Sequence, residues 1–480
     1  MNSGFNSYNL DVNILKALSN LGFENPSEVQ IETIPNLLNH EDIIVKSQTG
    51  SGKTASFGIP LCNEIEIEDS KIKALVLVPT RELALQVKDD ISNIGRLKKV
   101  RCAAVFGKQP FNDQVRELKQ RVHIVIGTPG RISDHINRGN LDFGDLSFVV
   151  IDEADKMLNM GFIDQIKEIL DQLPRERTTA LFSATIPDRI ESLCYNYMKS
   201  PKILEVKSKV FNREKITEAY LEIEERDKFK ALLRSLYAAK PDAAIVFCNT
   251  RDKVRTIYEG LKSEEMLVEQ LHGDMEQKER IETMERFKNK EFKVLVATDI
   301  ASRGIHVDNI THVFNYEVPM ERESYVHRIG RTGRAGRAGV AISLISPYER
   351  KFLTLIEEYL GYTINKGKFP NEEEVAKGKI LFKKGERAIL DAPKPKKKVI
   401  HSDVAKVYIG AGKKKKIRNI DIVGALSNLP ELSGDDIGII DVQDNITYVD
   451  ILNGKGKNFV KKYKELIIKG KKVQVQIARK

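Results

Sequence analysis

The strongest constraint on this chain is a pattern of short apolar runs that each break off in a polar cluster. In the first half these are DIIVKSQTG (42–50), ALVLVPTRE (74–82), HIVIGTPGR (123–131), FVVIDEAD (148–155) and TALFSAT (179–185). A second series follows after about residue 210: AAIVFCNT (243–250), KVLVATD (293–299) and THVFNYEVP (311–319). Continuous β-branched runs of this length suit strands buried on both faces, hence parallel sheets. Helical patterns such as RELALQVKDDISNI (81–94) and KERIETMERF (278–287) separate them. The alternation predicts an α/β architecture. Two series imply two sheets with a cleft between them. In such sheets ligands bind beyond the carboxyl ends of the strands, where every polar cluster above falls.

At 480 residues the chain has room for roughly three domains. We place them at 1–207 and 208–366 for the two sheets, with a basic linker at 367–402 and a small domain at 403–480. The linker reading rests on a charged stretch without a regular period, ending in APKPKKK (392–398). The last segment reads as β-α-β-β-α-β: KVYIGAG, NIDIVGALSNL, IGIIDVQ, ITYVDIL, NFVKKYKEL and KKVQVQIAR.

Charge is unevenly placed. The net charge is +10, yet 403–480 holds 16 Lys+Arg against 9 Asp+Glu and 366–402 holds 11 against 5. The last 115 residues therefore carry +13 and residues 1–365 carry −3. An anionic partner of the tail is expected, nucleic acid ahead of a membrane. The alternative for a run such as Lys413–Lys416 is a solvated surface. Nothing approaches roughly 18 consecutive apolar residues, so no membrane partner is expected. The N-terminus has no basic-then-apolar leader, and the four cysteines are far apart. A reducing, cytoplasmic location is the expectation, with neither a zinc site nor a disulfide framework.

KSQTGSGKT (46–54) has the end of a phosphate-binding loop, although Ser47 stands at the first glycine position. Such a loop aims backbone N–H groups at phosphates from the start of a helix. Gly50 and Gly52 supply the tight backbone. Lys53 reaches the β- and γ-phosphates and Thr54 ligates Mg²⁺. Downstream, Asp152 is placed to hold Mg²⁺ through water and Glu153 to polarise the attacking water. HRIGRTGRAGR (327–337) offers Arg328, Arg331, Arg334 and Arg337 as donors to a transferring phosphate. An Arg-Gly stretch read alone also suits RNA binding.

With these residues together, the chain resembles the DEAD-box RNA helicases over roughly 1–365, in a full ordered set of motifs. GFENPSEVQ (22–30) is similar to the Q motif, which implies Phe23 against adenine and Gln30 hydrogen-bonded to it, with Phe5 as the upstream aromatic. Motif I commonly begins with alanine or serine, so Ser47 fits. The resemblance then makes Ser47, Gln48, Thr49, Gly50, Ser51, Gly52, Lys53 and Thr54 the phosphate loop. DEAD (152–155) is motif II in full, and Ser183, Ala184 and Thr185 match motif III, which couples ATP state to RNA state. PTRELA (79–84), Gly107 and TPGR (128–131) resemble the segments that track an RNA backbone. That implies Pro79, Thr80, Arg81, Gly107, Thr128 and Arg131 as RNA contacts. IVFCNTR (245–251), the pair Gln277 and Arg280, ATDIASRGI (297–305) and HRIGRTGR (327–334) resemble the second-domain motifs. They imply Asn249, Arg280 and Thr298 on RNA and Gly304 at ATP. Arg331 and Arg334 become arginine fingers, and His327 helps couple the domains. The implied cofactors are ATP and Mg²⁺. The implied fold is two RecA-like domains in tandem, followed by a small α+β domain related to RNA-recognition motifs (RRMs). Two departures stand out. His306 replaces an aspartate implied to contact ribose, which we expect to weaken ATP binding or make it pH-sensitive. Lys108 in VFGKQP (105–110) replaces a second glycine.

The tail resembles the C-terminal domain of DbpA-type helicases. That implies docking on a 23S ribosomal RNA hairpin and work on pre-50S particles in large-subunit assembly. The RRM string K/R-G-F/Y-G/A-F-V-x-F/Y is absent, so Tyr408 and Tyr448 alone are candidates for base stacking, and Tyr448 also suits a core. Recognition of RNA shape and phosphates by Lys413, Lys414, Lys415, Lys416 and Arg418 is expected; the alternative is a protein-docking domain. The leading reading is an ATP-dependent RNA helicase acting as a monomer. Its rivals are a general RNA helicase or ATP-gated RNA clamp without rRNA specificity, and a processive DNA translocase.

Overall fold

The computed structural model describes residues 4–47, 52–69, 71–206, 215–299, 310–333, 337–391 and 403–478. Gln48, Thr49, Gly50, Ser51, Gly304, His306 and Arg334 lie outside them, as does the Gln277 side chain.

The first apolar series forms a parallel sheet. Its strands are β1 (Ile43–Lys46), β2 (Ala74–Leu77), β3 (Cys102–Val105), β4 (Ile124–Gly127), β5 (Phe148–Asp152), β6 (Thr178–Ser183) and β7 (Lys202–Glu205), in the order β3-β4-β2-β5-β6-β1-β7. The alternation of side chains explains why the runs are apolar throughout. β2 sends Ala74 and Val76 into one core and Leu75 and Leu77 into the other. Helices Arg81–Ile94 and Pro129–Asn137 begin where β2 and β4 end. Thr80 caps the first of them, its hydroxyl accepting from the Leu83 amide at 3.2 Å.

The second series builds β8 (Ile216–Glu222), β9 (Ala244–Cys248), β10 (Val268–Leu271), β11 (Val294–Thr298), β12 (His312–Asn315), β13 (Gly339–Ile345) and β14 (Asn365–Lys366), all parallel, in the order β10-β11-β9-β12-β13-β8-β14. It too has a core on each face.

The stretch expected to be a linker, 367–402, holds a 20-residue helix, Glu372–Asp391, that belongs to the second domain. Val375, Gly378, Phe382 and Glu386 fall on its packed face at spacings of three and four. A glycine and a glutamate in that row hide the period from a hydropathy reading. Gly378 is required because a Cβ there would overlap the Tyr237 carbonyl of helix Lys228–Ala239. Phe382 is fully buried edge-on to Tyr237, and the Glu386 carboxylate accepts the amide of Leu267, the residue before Val268 of the sheet.

The tail is an antiparallel sheet of β15 (Ala405–Ile409), β16 (Ile437–Val442), β17 (Thr447–Ile451), β18 (Glu465–Ile468) and β19 (Lys471–Ile477), ordered β16-β17-β15-β19-β18. Helices Asn419–Ser427 and Gly456–Lys462 cover one face. The second helix stops sooner than NFVKKYKEL suggests. Glu465 and Leu466 pair with Gln474 and Val473 in a hairpin instead, because burying Leu466 and Ile468 requires a period of two. The tail packs with the first sheet domain as one compact unit. Among the described residues no helix is long and apolar enough to cross a membrane.

Candidate functional site

The phosphate side of the first domain is built at the ends of β1, β5 and β6. Gly52 caps helix Lys53–Glu64 with a left-handed backbone, φ 92°. A Cβ there would lie 2.9 Å from Gln30 Nε2 and 3.2 Å from Ser27 Oγ. Glycine is therefore required on both conformational and steric grounds. Gln30 holds the loop from behind: its Oε1 accepts the Ser27 amide at 2.9 Å and its Nε2 donates to the Gly52 carbonyl at 3.3 Å. Phe23 is half-buried and meets Phe5 edge-on at 6.1 Å. Phe5 itself is only 5% exposed and packs behind Phe23.

Lys53 is buried, donating to the Ser47 carbonyl at 3.4 Å and lying 4.0 Å from Asp152 Oδ1. Neither Asp152 Oδ1 nor Ser47 Oγ has a hydrogen-bond partner among the described residues. Burial lifts the Asp152 carboxyl to about 6 against the opposing charge of Lys53, and Glu153 adds to the rise. A buried carboxylate with an unused oxygen, beside a lysine and the half-buried Thr54, fits a cation carried in with a polyphosphate. Glu153 caps the next helix at φ 57°, a left-handed position for a non-glycine residue, and pairs with Lys156 at 2.6 Å. Such strain is characteristic of functional positions.

The last residue of DEAD is a hub that the sequence reading passed over. Asp155 Oδ2 accepts the Ala184 and Thr185 amides, each at 3.2 Å, and the Thr185 hydroxyl at 3.4 Å. Its own amide donates to Ser183 Oγ at 3.2 Å. Motifs II and III are thus one hydrogen-bonded piece.

On the other half of the same sheet, the ends of β2, β3 and β4 bring together Thr80, Arg81, Gly107, Thr128 and Arg131. The Arg81 guanidinium lies against Gly107, where a Cβ would come within 3.3 Å. Arg131 is half-buried, donates to Gln114 Oε1 at 3.2 Å and lies over the Phe111 ring. Pro79 is buried, so only its backbone is offered. Lys108 is exposed with φ 60°, a left-handed backbone that explains a glycine preference at this position.

In the second domain Arg328 and Arg331 have different partners. Arg328 is 1% exposed and is structural: Nε and NH2 fork onto Asp299 at 2.6 and 2.7 Å. NH1 donates to the Glu317 carbonyl at 2.6 Å, and NH2 also to Asn249 Oδ1 at 2.7 Å. Asn249, expected on RNA, has its amide committed inside the domain, since Nδ2 donates to the Val318 carbonyl at 2.9 Å. Arg331 is one turn on, its Nε donating to the His327 carbonyl at 3.2 Å. Thr298 closes β11 and Arg280 lies on helix Gln277–Lys288.

In the tail, Lys413–Lys415 form a 3-10 turn after β15, with all four lysines and Arg418 exposed. The hairpin between β18 and β19 joins them: Lys469 Nζ donates to the Lys416 carbonyl at 3.1 Å and Lys471 Nζ to the Lys415 carbonyl at 2.8 Å. This pair is separated from the lysine run by more than fifty residues, so no local pattern announces it. Tyr408 and Tyr448 are cross-strand neighbours, 6.1 Å between centroids, half-buried on the helix-free face.

This is the architecture of an RNA-dependent ATPase, a phosphate loop and an acidic strand end beside a row of helix starts and arginines. The chain belongs to the DEAD-box ATP-dependent RNA helicases, RNA-stimulated ATPases. Residues 27–193 match the DEAD/DEAH box helicase profile, 227–336 the helicase conserved C-terminal domain, and 406–477 the DbpA RNA binding domain. The chain is similar to the ATP-dependent RNA helicase DbpA of Bacillus subtilis, 48% identical over the full length of both. It is 43% identical to the DEAD-box ATP-dependent RNA helicase CshA of Geobacillus kaustophilus over 78% of this chain and 80% of that one. Among solved structures it is similar to S. cerevisiae Dbp5 bound to RNA and ADP BeF3, with a TM-score of 0.70, 30% identity, and 80% of this chain and 100% of that one covered.

Proposed function

We propose that this helicase is addressed by its tail to a hairpin of 23S ribosomal RNA and remodels short duplexes there during large-subunit assembly. The observation that carries this reading is the six-lysine cluster gathered from two segments of the DbpA-type domain. Phosphate contacts of this kind position a protein on folded RNA without reading bases.

In the core, Lys53 and the phosphate loop hold ATP, with Gln30 and Phe23 at the adenine. Thr54 and Asp152 hold Mg²⁺, Asp152 through water; the ion supplies charge neutralisation at the phosphates. Glu153 orients the attacking water. Arg331 and Arg334 stabilise charge on the transferring phosphate, and His327 links their segment to RNA state. Thr80, Arg81, Gly107, Thr128, Arg131, Arg280 and Thr298 hold the RNA backbone. Asn249 positions Arg328 instead. Such contacts carry no sequence, so selectivity resides in the tail.

The test is steady-state ATPase activity without RNA, with random RNA and with a 23S fragment carrying the hairpin. We expect half-maximal stimulation by the fragment at far lower concentration than by random RNA. Replacing Lys413, Lys414, Lys416 and Lys469 by alanine removes that preference and leaves stimulation by random RNA. Equal stimulation by all RNAs in the wild type removes the ribosomal address and leaves a general RNA helicase.

A further inference from the structure

Acidic residues are out of place on the open face of an RNA-binding sheet, yet two stand there. Asp450 lies on β17, directly across from Lys406, and Asp441 on β16, directly across from Tyr448. Both are answered by arginines of the first sheet domain. Arg96 forks onto Asp450, Nε to Oδ2 at 3.1 Å and NH2 to Oδ1 at 3.0 Å, and that carboxylate is 5% exposed. Arg101 donates to the Ile440 carbonyl at 2.9 Å and to Asp441 Oδ1 at 3.4 Å. Lys99 reaches the Gly434 carbonyl at 3.3 Å, and Lys16 pairs with Asp403 at 3.3 Å. Between these polar contacts Ala17, Leu97 and Leu452 are buried together, with Val404 against them.

This is a dry centre with a charged rim, the anatomy of a specific interface. A planar guanidinium on a nearly buried carboxylate also fixes orientation. The side opposite the strand ends on which the first domain carries its phosphate loop is used: Arg96 and Arg101 flank the turn that enters β3. On the tail, the contacts at Asp403, Asp450 and Leu452 gather where β15 begins and β17 finishes. The lysine turn follows the last residue of β15, and Lys471 lies beyond the Val475–Ile409 pair at that same far end.

We infer that the open sheet face of the tail is a docking surface for the first RecA-like domain of the same chain, locked by Arg96–Asp450 and Arg101–Asp441. The tail then works as a fixed arm of the ATP-binding domain, locked at one end through Asp450 and, nearer the lysine turn, through Asp441. RNA held by the lysines is thereby set at a constant place relative to Arg81 and Arg131.

The lock includes an ion pair suited to zero-length chemistry. A carbodiimide joins Lys16, which stays half-exposed, to Asp403. In the full chain we expect a peptide linked 16 to 403, in a yield independent of protein concentration. Asp450→Arg and, separately, Arg96→Asp lower that yield about tenfold, and the double exchange Arg96→Asp with Asp450→Arg restores it. Retained RNA affinity of each variant shows that its lysine end is folded. Absence of the link in the wild type, a yield unmoved by Asp450→Arg, or a yield that rises with concentration as between two copies would each overturn the inference.

Discussion

Asp155 and Thr185 are joined twice, through the amide at 3.2 Å and the hydroxyl at 3.4 Å, so the strand end beside ATP and the loop after β6 move as one. A loop held by a single carboxylate oxygen transmits a change in one site to the other as long as that oxygen is there. Asp155→Ala removes three acceptor contacts at a stroke. We expect strand displacement to fall about 5- to 100-fold while RNA-stimulated ATPase falls far less, the range of a lost coupling energy of about 1–3 kcal/mol. Parallel loss of both activities would mean that Asp155 serves hydrolysis itself.

Arg328 and Arg331, both buried, separate by experiment as they do by their partners. Arg328 gives four contacts to Asp299, Glu317 and Asn249 inside the domain. A lysine cannot reproduce that fork, and buried acceptors are left wanting. Arg328→Lys lowers the stability of the second domain by about 3 kcal/mol, read as a lower melting transition. Arg331→Lys lowers kcat by about 10³ or more and shifts the transition less than Arg328→Lys does. Equal shifts in melting for the two would sink the assignment.

How much of this was written in the sequence depends on the range of the interaction. The strands were legible because a doubly buried parallel strand is apolar at every position, as in 74–78. The phosphate loop and DEAD string were legible because their chemistry is packed into a few neighbouring residues. Helix Glu372–Asp391 was not, since Gly378 and Glu386 occupy its buried face for reasons that lie across the interface, at Tyr237 and Leu267. The bonds of the Asn249 amide to Arg328 and to the Val318 carbonyl were not legible either, because those partners lie 79 and 69 residues away. The locks Arg96–Asp450 and Arg101–Asp441 join residues more than 300 apart, which no local pattern encodes.

The lifted Asp152 carboxyl has a sign that can be checked. Burial raises it from its usual carboxylate range to about 6, so the folded state disfavours the charged form. The Asp152 contribution to the stability of the ligand-free first domain is then fully present below about pH 4 and lost as pH rises through about 6, opposite in sign to that of His123 and His135, which burial lowers to about 4. Asp152→Asn should raise its stability at pH 7.5 by about 1–2 kcal/mol and abolish ATPase activity. In the wild type, Mg²⁺-ATP affinity should increase as pH rises through the same window, because the cation needs the carboxylate. A stability difference between wild type and Asp152→Asn that is flat between pH 4 and 7, or an Asp152→Asn variant that is less stable at pH 7.5, would contradict this.

Lys108 holds a left-handed backbone that costs a residue with a Cβ about 1 kcal/mol. Lys108→Gly should therefore stabilise the first domain by about that amount. If Lys108 also touches RNA phosphate, the same change weakens RNA binding by the core. If the side chain is only solvated, affinity is unchanged. Destabilisation by Lys108→Gly would show that its stem packs on something the backbone argument omits.

The lysine end makes the most quantitative prediction. Each phosphate contact released contributes about 0.7 to 0.9 to the slope of log affinity against log salt. Lys413, Lys414 and Lys416 are exposed with their ammonium groups available to phosphate. Lys469 and Lys471 shape the turn by donating to its carbonyls. Replacing Lys413 and Lys414 by alanine should reduce the slope by about 1.5 and leave melting unchanged. Replacing Lys469 or Lys471 should lower affinity for the hairpin more than the slope change predicts, because the turn loses its shape as well as a charge. Identical slope changes at all four positions would reduce the hairpin braces to ordinary phosphate contacts, and an unchanged slope at Lys413 and Lys414 would move the RNA site elsewhere on the tail.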